Sequence, residues 1–339
     1  MVQSAAEVRA GPSQHNFYPD PRLALGVEPS VYISQYPQLY SGHSKEGFPV
    51  FFSKPGVLNV QGISCISTIE GIIRYHWYAM IHEFGDRLRS QKKINPKFNR
   101  FEVICVVDLE HLTVSNVGTR PMNIIKVQAQ VDSLCFPETL HKFIIINAPS
   151  AFSLIWSVIK GWIDARTASK VEIYSYRNQW EPRLLELVDT EELPKDYGGN
   201  ATPTTERLLM ENKESDVIRQ YVRTFNVCKT ATTDVLEVKE GEEMEIFVMT
   251  RSLREGEFSF CYDNVGGIPN ANLPQASNYS PVIVKHLGKG IDEEEPTRVT
   301  FPATIQGPFN FQLKIQCNTG SWSSESFLVT AKVRHTAPH

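Results

Sequence analysis

Residues 142–174 read KFIIINAPSAFSLIWSVIKGWIDARTASKVEIY, and the succession of patterns in this stretch decides the fold. FIII (143–146) and VEIYS (171–175) are short runs with little alternation, as expected of strands covered on both faces of a parallel sheet. Between them, residues 151–163 carry nine apolar side chains, interrupted only by Ser153, Ser157, Lys160 and Gly161. A helix that is apolar nearly all round either fills a core or lies against lipid. It is too short to cross a bilayer.

Upstream, VICVV (103–107) is a third such run, and Ile124, Val127, Val131 and Leu134 repeat at helical spacing between it and FIII. Strand, helix, strand, helix, strand is the pattern of an α/β layer with a mostly parallel sheet. Farther back, Ile66, Ile69, Ile73, Trp77, Met80, Phe84 and Leu88 predict one long amphipathic helix. The segment behind it holds Arg87, Arg89, Lys92, Lys93, Lys97 and Arg100 against one acid, Asp86. Such a run either attracts anionic headgroups or is a solvated helix end, and the second is the commoner case. Residues 1–29 are rich in Pro, Gly and polar groups and read as irregular.

Beyond Gly198-Gly199 the period changes. Phe309, Phe311, Leu313, Ile315 and Cys317 alternate with polar residues, as do Phe327, Val329, Ala331 and Val333. Met244, Ile246 and Val248, and Phe258, Phe260 and Tyr262, follow the same rule. Several alternating strands predict an all-β antiparallel sandwich. The expected domains are 30–210 (α/β) and 220–335 (sandwich), with the boundary near residue 215.

Composition narrows the function. The chain has 339 residues, 41% hydrophobic and 21% charged, with a net charge of −4. That balance is globular and offers no basic face for nucleic acid. Six cysteines form no CxxC pair, which disfavours zinc, and a Cys261–Cys317 disulfide has little to recommend it. The amino-terminal residues lack a signal-peptide core and no apolar run is long enough to span a bilayer, so a cytoplasmic protein is expected. The Asn200 and Asn278 sequons carry no meaning there.

The stretch PETLHKFIIINAPSAFSLIWSVIKGWIDARTASKVEIYS, with LLELVDTEELPKDYGG after it, resembles the CRAL-TRIO lipid-binding domain. The resemblance rests on Pro137-Glu138, Ile146-Asn147-Ala148-Pro149, Asp164, Ser169-Lys170, Leu193-Pro194 and Tyr197-Gly198-Gly199. YPQLYSGHSKEGFPVFF (36–52) is similar to the family's entry segment. The resemblance implies one lipid bound in an apolar pocket, transient membrane contact, and no cofactor other than that ligand. It implies a pocket lined by Val103, Cys105, Val107, Phe143 and Ile145. A mobile lid over 151–164 would contribute Phe152, Ile155, Trp156, Ile159, Trp162 and Ile163. Glu138 and Lys170 match positions that help hold a phosphatidylinositol headgroup. The plainer alternatives are that Glu138 caps a helix and Lys170 is solvated. Val103 and Cys105 stand where phosphatidylcholine binders have hydroxyls, which argues against a choline lipid. The family's helical amino-terminal subdomain has no counterpart in residues 1–29.

The second domain resembles a GOLD domain in EGEEMEIFVMTRS and GPFNFQLKIQCNTGSWSS, which implies a protein partner in membrane trafficking. An adaptor acting through that domain is therefore the competing reading. A hydrolase or metal enzyme using Asp108, Glu110 and His111 is the other, since sites in α/β folds favour the carboxyl ends of strands. No GxSxG, HExxH or P-loop motif accompanies them.

Overall fold

The computed structural model describes residues 20–211, 214, 216–251, 257–264, 299–318 and 324–336. They form two compact units. The first runs through Val60 and resumes at Ile69, while the second takes Gln61–Thr68 together with the strands from Val217 onward.

The first unit opens with two short helices, α1 (Pro21–Leu25) and α2 (Pro29–Gln35), each with proline in its first turn, where the missing N–H is no loss. Next come β1 (Gln38–His43) and β2 (Pro49–Ser53). Gly47, at φ +90°, lets the chain turn between them. Helix α3 (Val60–Ile66) belongs to the second unit from Gln61 on; the first resumes with α4 (Ile69–Tyr78), which passes through a π-helical stretch, Ala79–Phe84, into α5 (Gly85–Ile94). The single helix expected from Ile66 is thus divided. The π turn also rotates its face: Ile72 and Tyr75 are buried on one side of it and Phe84 and Leu88 on the other, because a π stretch adds a residue and shifts the stripe. Then follow β3 (Val103–Asp108), α6 (Thr119–Cys135), β4 (Leu140–Ile146), α7 (Phe152–Lys160), α8 (Ala165–Ser169), β5 (Val171–Ile173), α9 (Arg177–Leu187) and α10 (Thr204–Glu211).

The sheet order is β1-β2-β3-β4-β5. Only the β1–β2 pair is antiparallel. Successive residues of a strand point to opposite faces, and the two faces differ sharply. Val50, Phe52, Ile104, Val106, Ile144 and Ile146 are all 0% exposed. They share a core cluster with Trp180, Leu184, Val188, Leu193 and Tyr197. Each such side chain stabilises the fold by about 1.5–3 kcal/mol. On the other face Tyr40, Phe51, Cys105, Phe143 and Val171 stand in register across all five strands. Four of these are only half-buried, as is Val107 in the next row.

The second unit has strands β6 (Val217–Val227), β7 (Thr230–Thr232), β8 (Leu236–Val238), β9 (Glu242–Thr250), β10 (Glu257–Asn264), β11 (Val299–Gln306), β12 (Phe309–Asn318) and β13 (Glu325–His335). One sheet runs β10-β12-β7 with β8 also paired to β12, and the other β11-β9-β13-β6. All the pairings are antiparallel. Phe309, Phe311, Leu313, Ile315, Phe327, Val329 and Ile246 share one core between the sheets, a sandwich. The alternation expected along β13 fails on its polar face, where Leu328, Thr330 and Lys332 are buried too. Ile63, Cys65 and Ile66 of the Gln61–Thr68 segment are buried in the same unit, and the Cys65 thiol bonds the Leu328 backbone. Cys317 is buried. The side chains of Phe258, Phe260 and Tyr262 lie outside the described residues.

Candidate functional site

The half-open face of the first sheet is the candidate site. Helix α7 covers one part of it. Phe152 is buried, and with Ile155 and Trp156 it packs against Val107, Phe143, Ile145 and Val171. Ile159, Trp162 and Ile163 are half-buried. Val103 is buried in a core cluster that also holds Tyr40, Phe84 and Leu88, beside a register shift between Val103 and Ile104. The far side of α7 is apolar and uncovered, with Leu154 73% and Val158 51% exposed. The expected lid is two pieces, because Gly161 ends α7 and Asp164 caps α8 by accepting from the Thr167 amide at 2.9 Å. Hydrogen bonds from Thr167 hold the Asp164 carboxyl below its usual range.

Cys105 reports on what lies over the other part of the face. Burial pushes its thiol up to about 12, yet its side chain is not fully covered. Helices α4 and α6 carry a polar pair of their own. His76 of α4 bonds Asp132 of α6, Nε2 to Oδ1, at 2.6 Å. Asp132 shares a stripe with Ile125, Gln128 and the buried Pro121 and Cys135, opposite the exposed Asn123, Lys126, Gln130 and Ser133. It acts electrostatically on both Cys105 and Tyr40. Burial disfavours a charged His76, but the Asp132 carboxylate outweighs it and raises the imidazole above its ordinary value. Nearby, burial raises the Glu83 carboxyl against the pull of Arg87. Tyr75 donates to Glu83 at 3.3 Å, and Arg87 lies 4.4 Å over the Tyr40 ring.

The two headgroup candidates meet at the amino-terminal ends of β4 and β5. Lys170 Nζ lies 3.8 Å from Glu138 Oε2, and Arg166 Nη1 lies 2.8 Å from Glu138 Oε1. Lys170 also donates to the Leu140 carbonyl. Glu138 is held at φ +62°, a region few non-glycine residues adopt. Arg166 is a third member that sequence reasoning missed.

The carboxyl ends of β3 and β4 are committed elsewhere. Asp108 accepts from Asn147 Nδ2 at 2.8 Å, from the Tyr197 hydroxyl at 3.0 Å and from the Glu110 amide at 3.0 Å. Trp180 Nε1 donates to Asn147 Oδ1 at 3.0 Å. Glu110 and His111 are exposed and 3.9 Å apart. Among the described residues no cluster of three or more His, Cys, Asp or Glu is placed to hold a metal. The basic run from Arg87 is largely paired: Arg89 with Asp86, Lys92 with the Phe98 carbonyl, and Arg100 with Glu102 and Glu46. Among the described residues no helix is long and apolar enough to cross a membrane.

A five-stranded, mostly parallel sheet, sealed on one face and apolar but half-open on the other under a greasy helix, defines an α/β domain. Residues 33–199 match the CRAL/TRIO domain family, and this part of the chain is a CRAL/TRIO domain. The chain is 30% identical over 213 residues to phosphatidylinositol/phosphatidylcholine transfer protein SFH4 of Arabidopsis thaliana, covering 59% of this chain and 33% of that protein. It is 28% identical over 170 residues to SEC14 cytosolic factor of Yarrowia lipolytica, covering 49% and 33%. It thus spans about a third of the length of these relatives. The crystal structure of Sfh5 aligns with 57% of this chain and 65% of its own at 15% identity, with a TM-score of 0.41.

Proposed function

We propose that the first unit encloses a single lipid between the half-open sheet face and α7, and transfers or presents it at membranes. The observation that carries this reading is the contrast between the two sheet faces, one wholly buried and one apolar but only half-buried at Phe51, Cys105, Val107, Phe143 and Val171. An apolar volume with a few polar groups at its margin suits a ligand held by burial rather than by reaction. The relatives named as phosphatidylinositol/phosphatidylcholine transfer proteins support it.

Helix α7 serves as the lid. Its inner residues seal the ligand, and the exposed Leu154 and Val158 meet the bilayer when the lid swings out. Trp156 and Trp162 suit the interface, which indole favours. Glu138, Arg166 and Lys170 form the outer headgroup contact, and phosphatidylinositol is the ligand they fit best. The protein works in the cytoplasm with peripheral membrane contact, and the GOLD-like sandwich serves as an adaptor for a protein partner. A hydrolytic or metal-dependent role is disfavoured because Asp108 is buried in a structural network. The test is transfer of labelled phosphatidylinositol between two vesicle populations. Transfer by the full chain, slowed by Trp156→Glu with Trp162→Glu, is the expected result. Transfer unchanged in that variant refutes the lid, and no transfer at all refutes the reading.

A further inference from the structure

The connection from the end of α5 to β3 carries apolar surface and charge that the half-open sheet face does not use. We propose that this connection docks on an anionic membrane surface, at a contact separate from the lid: Ile94 and Phe101 enter the bilayer interface, and Lys93 and Lys97 meet acidic headgroups. This extends the reading that the protein works at membranes, on which it rests.

The connection exposes two large apolar side chains, Ile94 at 77% and Phe101 at 66%. It is also held in shape. Phe98 is buried, with its ring 6.2 Å from that of Phe48. Its amide donates to the Asn95 carbonyl at 2.9 Å, and its carbonyl accepts from Lys92 Nζ at 2.6 Å. A segment pinned in this way presents its apolar residues with little further ordering to be done on binding.

Cations are in excess here. Arg89 faces Asp86, and Arg100 is shared by Glu46 and Glu102. Lys93 and Lys97 are exposed, and their ammonium groups have no partner among the described residues. The chain as a whole carries −4, which an acidic bilayer repels, so a local excess of cations is what turns one side toward it. The position agrees. Arg100 Nη2 lies 3.3 Å from His141 Nδ1, next in sequence to Leu140, whose carbonyl accepts from Lys170. The connection and the outer headgroup contact therefore share one end of the sheet.

Apolar side chains flanked by lysines suit the boundary between headgroups and acyl chains, where the lysine stems lie along apolar surface and the charges stay in water. A bilayer accepts both without a shaped pocket. An acidic protein surface satisfies the lysines alone.

The test is flotation of the full chain with vesicles of phosphatidylcholine, or of phosphatidylcholine mixed with phosphatidylserine. The unaltered protein should prefer the acidic vesicles about 30-fold, the effect of two cations at an acidic surface, and added salt should shrink that preference. Lys93→Gln with Lys97→Gln should nearly abolish it. Ile94→Ser with Phe101→Ser should weaken binding to both kinds of vesicle about tenfold. All four positions are exposed, and an unchanged melting temperature shows that the variants fold. Equal binding of the unaltered protein to both kinds of vesicle overturns the inference without any variant, and leaves the lipid reading standing if phosphatidylinositol is still transferred. A preference that survives the lysine substitutions puts the contact elsewhere and overturns it too. Lysine-dependent binding that ignores the loss of Ile94 and Phe101 points to an acidic protein surface instead, and also overturns it. Neither binding nor transfer overturns the membrane reading itself.

Discussion

The Tyr197 hydroxyl donates to Asp108 Oδ2 at 3.0 Å, tying the end of β3 to a turn 89 residues later. The turn is tight: a Cβ on the adjoining Gly199 would come within 1.9 Å of the Leu193 carbonyl oxygen. This network closes the carboxyl ends of the strands, where many α/β proteins place their ligands, and leaves the open sheet face for that role.

Tyr197→Phe should therefore act on stability and not on ligand uptake. Losing a buried hydrogen bond to a carboxylate should lower the unfolding free energy by about 1.5–3 kcal/mol, read from urea titration. Abolished lipid uptake in a folded variant would place Asp108 in the site.

Acid should weaken the first unit through Glu172. Arg183 first, then Lys142 and Tyr174, hold its carboxyl at about 2 against an ordinary 4.5. The folded state thus binds this proton more weakly than the unfolded one. Its stabilisation is present above about 4.5 and is lost as pH falls toward 2. Glu172→Gln should flatten the fall in melting temperature over that window. Glu242, held near 2 chiefly by Arg219, should leave a separate acid-sensitive step in the second unit.

The two sides of α7 should respond differently. Phe152→Ala empties a buried position and should destabilise by about 3–5 kcal/mol. Leu154→Asp with Val158→Asp alters exposed positions and should leave the melting temperature unchanged while slowing exchange with vesicles several-fold. Unchanged exchange would mean that this side of the helix never meets the membrane.

Glu138→Ala with Lys170→Ala should reduce phosphatidylinositol uptake and spare neutral lipid. Arg166→Ala should act in the same direction, since it shares Glu138. Equal loss of both lipids would show a structural role for the cluster.

The strands and α7 were legible because apolar runs and their spacing report burial directly. So was the sandwich, through the strict alternation from Phe309 to Cys317. The His76–Asp132 pair was not. The expected stripe through Ile73, Trp77 and Met80 assumes an unbroken 3.6-residue period, and the π turn after Tyr78 breaks it. Residues 56 apart in sequence carry no pattern that announces their pairing. Arg166 was hidden for a like reason: it reaches Glu138 from α8, and no spacing in the sequence announces that contact. Lys332 read as a wet-face residue because the sequence does not reveal that the outer face of β13 is covered.

The most direct measurement is mass spectrometry of the organic extract from the full chain purified out of cells, with the lipid quantified against protein. The account requires about one lipid per chain, displaced when the protein is incubated with excess phosphatidylinositol vesicles. Protein that carries no lipid, and takes none from those vesicles, contradicts it.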